Sequence, residues 1–401
     1  MAVYGDTSGI LRDHEHAGDQ IFALADDVGG TVYGDADQLL DHSSGGDDAL
    51  TGAQRVNSVL FGDADTMHGH SHGGSDTLTG VGLRDQLYGD AYGMYEHATG
   101  GNDKLVLGAS FELLYGDAHD MFDHARGGDD TMIGSPGQIE IGQGPPGVLY
   151  GDAFTMSGHT LGGNDTLSDT AAAVGDADSM SDHARGGDDL LTGGNGRADA
   201  LVGDANRMTD HTVGGNDILV GHAGGLSGLT GDAGEMSGQA RGGDDHLIGG
   251  PSLAVLHGDA TTMRDQAVGG DDVLESTGST NRLYGDAETL ADNSRGGNDV
   301  LIGGHGADHM WGDAATVAAG ALTGADTFVF GPGGGRDDIN DFRQSDGDRI
   351  DVSAFGFTHV EDMTFTSDGA NTTLSFDDSS SVVLVGLADP HVLHTSDFLF
   401  A

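Results

Sequence analysis

A Gly-Asp pair recurs along this chain with its aspartate at Asp6, Asp35, Asp63, Asp90, Asp117, Asp152, Asp176, Asp204, Asp232, Asp259, Asp286 and Asp313. Most steps are 27 or 28 residues; the exceptions are the first, which has one residue more, a long step from Asp117 to Asp152 and a short one after it. Thirteen residues beyond each pair stands a second aspartate: Asp19, Asp48, Asp76, Asp103, Asp130, Asp165, Asp189, Asp217, Asp245, Asp272, Asp299 and Asp326. That offset never varies. In most copies the second aspartate closes a Gly-Gly-(Asp/Asn)-Asp run such as Gly127-Gly128-Asp129-Asp130. Twelve copies in one frame restrict the chain to a solenoid, in which each coil is completed by its neighbours.

Two apolar columns follow from this register. Leucines stand two residues before the glycine of most Gly-Asp pairs, as at Leu60, Leu87, Leu114 and Leu149, and two residues after the second aspartates, as at Leu50, Leu78, Leu105 and Leu167. Each coil therefore supplies two short strands with inward leucines, separated by glycine turns. Coils stacked at about 4.8 Å bury those leucines in a continuous core. The segment between them is harder to assign, because Ala, Met and His at the first, fourth and seventh places after Asp also fit a helical turn. A helix about 10 Å across does not stack at a strand spacing, so the expectation is an irregular or extended loop with its Met inward. The fold expected is all-β: a parallel β-roll or β-helix-type solenoid of about twelve 27-residue coils over residues 1–326, with a β cap over 327–401.

Charge then limits the partners. The chain carries 66 acidic against 15 basic residues, a formal net charge of −51, with 73 Gly and no Cys. Nucleic acid and anionic membrane are poor partners for such a surface. The lack of cysteine excludes disulfides and thiolate metal sites. No charged segment followed by an apolar run opens the sequence, and no apolar stretch is long enough to cross a bilayer, so export would need another signal. Aspartate beside glycine is the chemistry of calcium turns: Ca²⁺ takes six to eight oxygens, carboxylate and carbonyl alike, and glycine lets several carbonyls turn toward one point. Rows of carboxylates a few ångströms apart would otherwise repel each other. Both aspartate columns are therefore candidate calcium ligands.

The segment Gly303-Gly304-His305-Gly306-Ala307-Asp308-His309-Met310-Trp311 matches the nonapeptide G-G-x-G-x-D-x-U-x throughout, and Gly193-Gly194-Asn195-Gly196 begins the same motif. In this the chain resembles the RTX (repeats-in-toxin) proteins, which implies many bound Ca²⁺ ions. By that resemblance Asp308 and the second-aspartate column correspond to the family's calcium ligands, while the Gly-Asp column departs from the motif. Asp326-Thr327-Phe328-Val329-Phe330, Asp337-Asp338-Ile339-Asn340-Asp341-Phe342 and Asp348-Arg349-Ile350-Asp351-Val352-Ser353 look like the closing β-domain of serralysin-type secreted proteins. The final Asp397-Phe398-Leu399-Phe400-Ala401 is similar to an uncleaved type I secretion signal, which implies an extracellular location.

Two further columns have no place in that motif. Histidine holds the seventh place after Gly-Asp at His42, His70, His97, His124, His159, His183 and His211, and Gln239, Gln266 and Asn293 then take over. A transition-metal or proton-responsive strip is one reading; the change to Gln and Asn makes a hydrogen-bonding role the simpler one. Aromatic residues precede Gly-Asp at Tyr4, Tyr33, Phe61, Tyr88, Tyr115, Tyr150, Tyr284 and Trp311. They either stack on one another or offer a platform to a carbohydrate or cell-surface partner. Gly69-His70-Ser71-His72-Gly73 fits G-x-S-x-G but falls within a repeat loop rather than a strand-to-helix elbow. The irregular coil carrying Ser135-Pro136-Gly137 and Pro145-Pro146-Gly147 projects a longer loop. The leading functional expectation is a secreted calcium-binding structural or interaction protein. An enzyme on the solenoid flank (a carbohydrate lyase, epimerase or hydrolase) and a carbohydrate-binding module are the alternatives.

Overall fold

Each Gly-Asp turn is the corner between two strands, and a third strand begins after the second aspartate. This is the arrangement in the computed structural model, which describes residues 2–82, 84–108, 113–134, 147–194, 198–222 and 225–401. The chain forms two compact units, Met1–Gly215 and Asn216–Ala401. Both are nearly all strand, with about twelve stacked parallel coils between them. No helix among the described residues is long and apolar enough to cross a membrane.

In the first unit the strands fall into three parallel sheets, one strand per coil in each. The first sheet holds the segment before Gly-Asp, for example Val59–Phe61, Gln86–Tyr88 and Leu113–Tyr115, with Leu60 opposite Leu87 and Leu87 opposite Leu114. The second holds the segment after it, Ala64–Met67, Ala91–Met94 and Ala118–Met121. The third follows the second aspartate: Thr77–Thr79, Lys104–Val106 and Thr131–Ile133. The Ala-x-x-Met segment is thus a strand, neither a helical turn nor an irregular loop. Its Ala and Met both reach the core, as Ala64, Met67, Ala91 and Met94 show at 0 % exposure. Leucines from the first and third sheets and methionines from the second fill one buried column, so each coil buries its apolar groups only between the coils on either side.

A turn after the second strand requires a left-handed backbone. The sixth residue after the Gly-Asp aspartate has positive φ at Asp41 (63°), Glu96 (63°), Asp123 (64°), Asp182 (61°) and Asp210 (63°), and glycine stands there at Gly69 and Gly158. Aspartate and glycine alternate at this place because they tolerate that region best.

The second unit repeats the three sheets and then changes. The second-sheet strands end at Ala314–Val317. The first sheet continues through Gly335–Ile339 and Ser380–Leu384, and Thr372–Ser375 and Thr364–Ser367 add antiparallel. The third continues through Arg349–Asp351 to Phe398–Leu399, so the C-terminal Phe398 is buried in the last strand.

Candidate metal centre

Both aspartate columns lie inside the coils rather than on them. In the Gly-Asp column Asp35, Asp63, Asp90, Asp117, Asp152, Asp176, Asp204, Asp232, Asp259, Asp286 and Asp313 are at most 1 % exposed. Each accepts the N–H of the second glycine in the Gly-Gly run eleven residues on, at 2.6–3.1 Å, as Asp117 does from Gly128 and Asp286 from Gly297. The second column (Asp48, Asp76, Asp103, Asp130, Asp165, Asp189, Asp217, Asp245, Asp272, Asp299 and Asp326) is at most 3 % exposed, while Asp19 in the first coil is exposed. From Asp76 on, Oδ1 typically accepts the backbone N–H of the matching aspartate one coil earlier: Asp76 N–H donates to Asp103 at 2.6 Å, and Asp272 N–H to Asp299 at 2.9 Å; Asp48 Oδ1 accepts instead from Gln20 N–H.

In the second column these bonds use one oxygen, and the other is buried without a hydrogen-bond partner in Asp48, Asp76, Asp103, Asp130, Asp165, Asp272, Asp299 and Asp326. In the Gly-Asp column Gly74 N–H reaches both oxygens of Asp63, and successive carboxyls lie against one another, Asp90 between Asp63 and Asp117 and Asp152 between Asp117 and Asp176. A buried carboxylate oxygen left without a partner costs several kcal/mol unless it is protonated or meets a cation. Glycine keeps the space around these oxygens open. A Cβ on Gly127 would lie 1.8 Å from Asp152 Oδ1 and 2.5 Å from Asp117 Oδ2, between carboxylates of successive coils. A Cβ on Gly116 would lie 2.0 Å from Asp130 Oδ2. The same cradle recurs at Gly73, Gly100, Gly162 and Gly242.

Burial pushes these carboxyls up, and at Asp90, Asp152 and Asp259 hydrogen bonds from neighbouring groups offset part of the rise. Asp35, Asp90 and Asp152 are raised to about 6, Asp259 and Asp313 to about 7, Asp48 to about 8 and Asp326 to about 9, with desolvation the main cause in each. Asp63, Asp76, Asp103 and Asp117 are also raised well above the ordinary carboxylate value by desolvation, with the facing column adding repulsion. A cation between the carboxylates would reverse this direction.

The donor set is oxygen only, which suits a hard cation such as Ca²⁺ over zinc or copper. Among the described residues no three His, Cys, Asp or Glu side chains converge as a ligand set. A cation held here would therefore need main-chain carbonyls besides the paired carboxylates.

At the end of the column the protein supplies its own cation. Arg343 Nη1 donates to Asp313 Oδ2 at 2.7 Å, and Asp348 accepts the N–H of both Asp326 (3.1 Å) and Arg343 (2.7 Å). Asp308, despite its match to the nonapeptide, lies in neither column. It is buried at the third turn, where it accepts from Ser276 Oγ (3.0 Å) and from Asn281 N–H and Nδ2 (both 2.9 Å). Its oxygens are satisfied by the protein.

The third place of the Gly-Gly-(Asp/Asn)-Asp run forms a separate exposed row. Asn102 Oδ1 accepts from Asp129 N–H (3.1 Å) and Asp129 Oδ1 from Asn164 N–H (2.9 Å), so the place needs an acceptor and Asp or Asn serves.

The aromatic column is a ladder stacked on itself. From Tyr4 through Tyr33, Phe61, Tyr88 and Tyr115 to Tyr150, ring centroids are 4.7–5.3 Å apart and planes within 6–11°. Neighbouring rings cover the faces that a sugar would need. Ser71 of the G-x-S-x-G match is fully buried, at the interior place that Ala98 and Ala125 hold in later coils, so it is a small filler and no exposed nucleophile. The long loop with Ser135-Pro136-Gly137 and Pro145-Pro146 lies outside the described residues, as does Asn195-Gly196 of the partial nonapeptide.

The histidine column also stacks, and it gains a member. His14, displaced in sequence by one extra residue in the first coil, joins His42, His70, His97, His124, His159, His183 and His211 with centroids 4.7–5.2 Å apart. All eight are exposed. None of these rings has a protein hydrogen-bond partner among the described residues, which removes the hydrogen-bonding role that the sequence made the simpler reading.

No protein-family profile matches the chain. No curated protein matches it either. Among solved structures, the AlgE6R2 subunit of the Azotobacter vinelandii mannuronan C5-epimerase, known from a solution structure, is 27% identical over 41% of this chain and 92% of that one, with a TM-score of 0.23. A TM-score so low bears on neither fold nor function.

Proposed function

We propose that this chain is a secreted calcium-binding solenoid of the RTX kind, which folds as Ca²⁺ enters between its coils and serves as a structural or interaction protein. One observation supports the reading above the others: two long rows of buried carboxylates, among which Asp48, Asp76, Asp103, Asp130, Asp165, Asp272, Asp299 and Asp326 each carry a buried oxygen without a hydrogen-bond partner, several of them against a glycine. Bound Ca²⁺ supplies the positive charge that lets those carboxylates stay ionised in the interior. The chain's own groups do the rest. Gly-Gly amides and the preceding coil's amides aim each carboxylate, and glycine keeps the gap open.

The energy is sufficient to decide folding. A site with a Kd of about 10⁻⁴ M contributes about 1.4 kcal/mol at roughly 1 mM calcium, and about ten such sites contribute about 14 kcal/mol. At roughly 0.1 µM calcium they contribute almost nothing. Domain stabilities are about 5–15 kcal/mol, so the chain would be unfolded where calcium is scarce and folded where it is abundant. That order fits export of an unfolded chain, with the segment after Asp326 acting as cap and secretion signal.

Circular dichroism during a calcium titration at fixed ionic strength, with magnesium as control, tests the proposal. The β signal should appear with calcium and not with magnesium at equal concentration. A full β signal in excess chelator, unchanged by calcium, would overturn it.

A further inference from the structure

Calcium leaves the eight exposed imidazoles of the first unit without a task, and the coil does not need them. At their place the main chain does the structural work: His97 N–H donates to Gly69 O at 2.9 Å and His183 N–H to Gly158 O at 2.8 Å. In the second unit Gln266 N–H makes the same bond to Gly238 O (2.8 Å), and Asn293 N–H to Asp265 O (2.9 Å). The coil thus closes equally well on Gln or Asn, yet imidazole holds the place in every coil from His14 to His211.

An exposed neutral imidazole is a ligand for divalent zinc, nickel and copper and a poor one for calcium. Two nitrogens on one such ion, each about 2.0–2.1 Å from it, lie within about 4 Å of each other. The ring centroids here are 4.7–5.2 Å apart, and five of the seven successive pairs are already tilted by 26–47°. Because the lone pairs lie in the ring planes, the two rings must turn about their exposed side-chain bonds to aim a nitrogen each at one ion. The groups facing the row favour a cation, since Asp13, Asp41, Glu96, Asp123, Asp182 and Asp210 each immediately precede a histidine and are exposed. No basic residue occupies that preceding place in the row.

We infer that this row is a transition-metal-binding strip, in which each ion is held by imidazoles of two successive coils. Eight imidazoles taken in pairs give at most four ions per chain. Water completes the coordination, and the sites form on binding. They are independent of the buried oxygen columns.

The test uses the full chain in saturating calcium, titrated with Ni²⁺ by calorimetry at pH 7.5. The unmodified protein should bind up to four ions. Replacing all eight histidines by glutamine, the residue already present at Gln239 and Gln266, should abolish the signal while the β signal stays. The combined substitution His42→Gln, His97→Gln, His159→Gln and His211→Gln leaves four imidazoles without an adjacent partner. Affinity should then fall at least tenfold; half the capacity at unchanged affinity would overturn pairwise binding. An isotherm indistinguishable from that of the eight-glutamine protein would overturn the strip altogether. Should the variants fail to fold, Cu²⁺ electron paramagnetic resonance on the unmodified chain decides. Coupling to two nitrogens supports the strip, and an all-oxygen spectrum overturns it.

Discussion

The two units are built from one coil and finished differently. In Met1–Gly215 the first coil leaves Ile21 91% exposed, and the row of imidazoles runs through every coil. In Asn216–Ala401 the same place holds Gln239, Gln266 and Asn293, and the last coil ends on Arg343 and Asp348. Carboxylates, glycines and leucines keep their places in both. The difference separates what the coil requires from what it merely carries: the buried columns are common to the two, and the side chains that change are free for other work. Where the repeats stop, Arg343 places a guanidinium on Asp313.

Removing calcium should have the largest effect and should fall on both units alike, because they share the columns. Acid should then substitute for the metal. An unfolded aspartate titrates near 3.9, whereas in the folded chain Asp90 is raised to about 6, Asp259 to about 7 and Asp48 to about 8. Between those values the folded chain binds more protons than the unfolded one. Its calcium-free stability is therefore fully present below about pH 4 and is lost as pH rises through 6 to 8. Circular dichroism in chelator should show β structure at pH 4.5 and little at pH 8. A β signal that weakens as the pH falls would break the argument.

A smaller effect should separate the units. Arg343→Ala leaves Asp313, 1% exposed, without its counter-ion, and should cost about 3 kcal/mol. Hydrogen exchange should quicken in Val300–Ile302 and Ala314–Val317 while the first unit keeps its protection. Equal protection in native and variant chains would show that Arg343 is not the terminal cation.

The smallest effect sharpens the boundary of the metal columns. Asn102→Asp keeps the acceptor for Asp129 N–H and should alter stability by less than about 0.5 kcal/mol in calcium. A change above about 1 kcal/mol, read by thermal unfolding, would place that exposed row within the cation sites.

Much of this architecture was legible because the register is rigid. Leu60 and Leu87, and Asp103 and Asp130, could be paired across coils by counting alone, and they pair so in the sheets. The second-sheet strand was not legible, because Ala64 and Met67 stand three apart, a spacing that period-two reasoning assigns to opposite faces and helical reasoning to one. The alternation of Asp41, Gly69 and Asp123 was a readable mark of positive φ, and would have located the turn. Asp308 misled because a nonapeptide match does not say at which of three turns it falls; it stands five residues before Asp313, on neither column's offset. Of the candidate site, the residues were visible and the unpartnered oxygens were not, since orientation depends on amides one coil away.

The amide-to-carboxylate bonds of the second column all run one way. Asp48 N–H donates to Asp76, Asp76 to Asp103, Asp272 to Asp299, Asp299 to Asp326, and Asp326 to Asp348. Within this column each coil takes its acceptor from the next, and Asp348, held by the N–H of Arg343, ends the series. The exposed row runs the other way, with Asp129 N–H donating back to Asn102, so successive coils hold each other from both sides. Each step closes a loop of one coil only, so the chain's contacts stay local although every sheet of the repeat is parallel, and the slow search usual for such sheets is avoided.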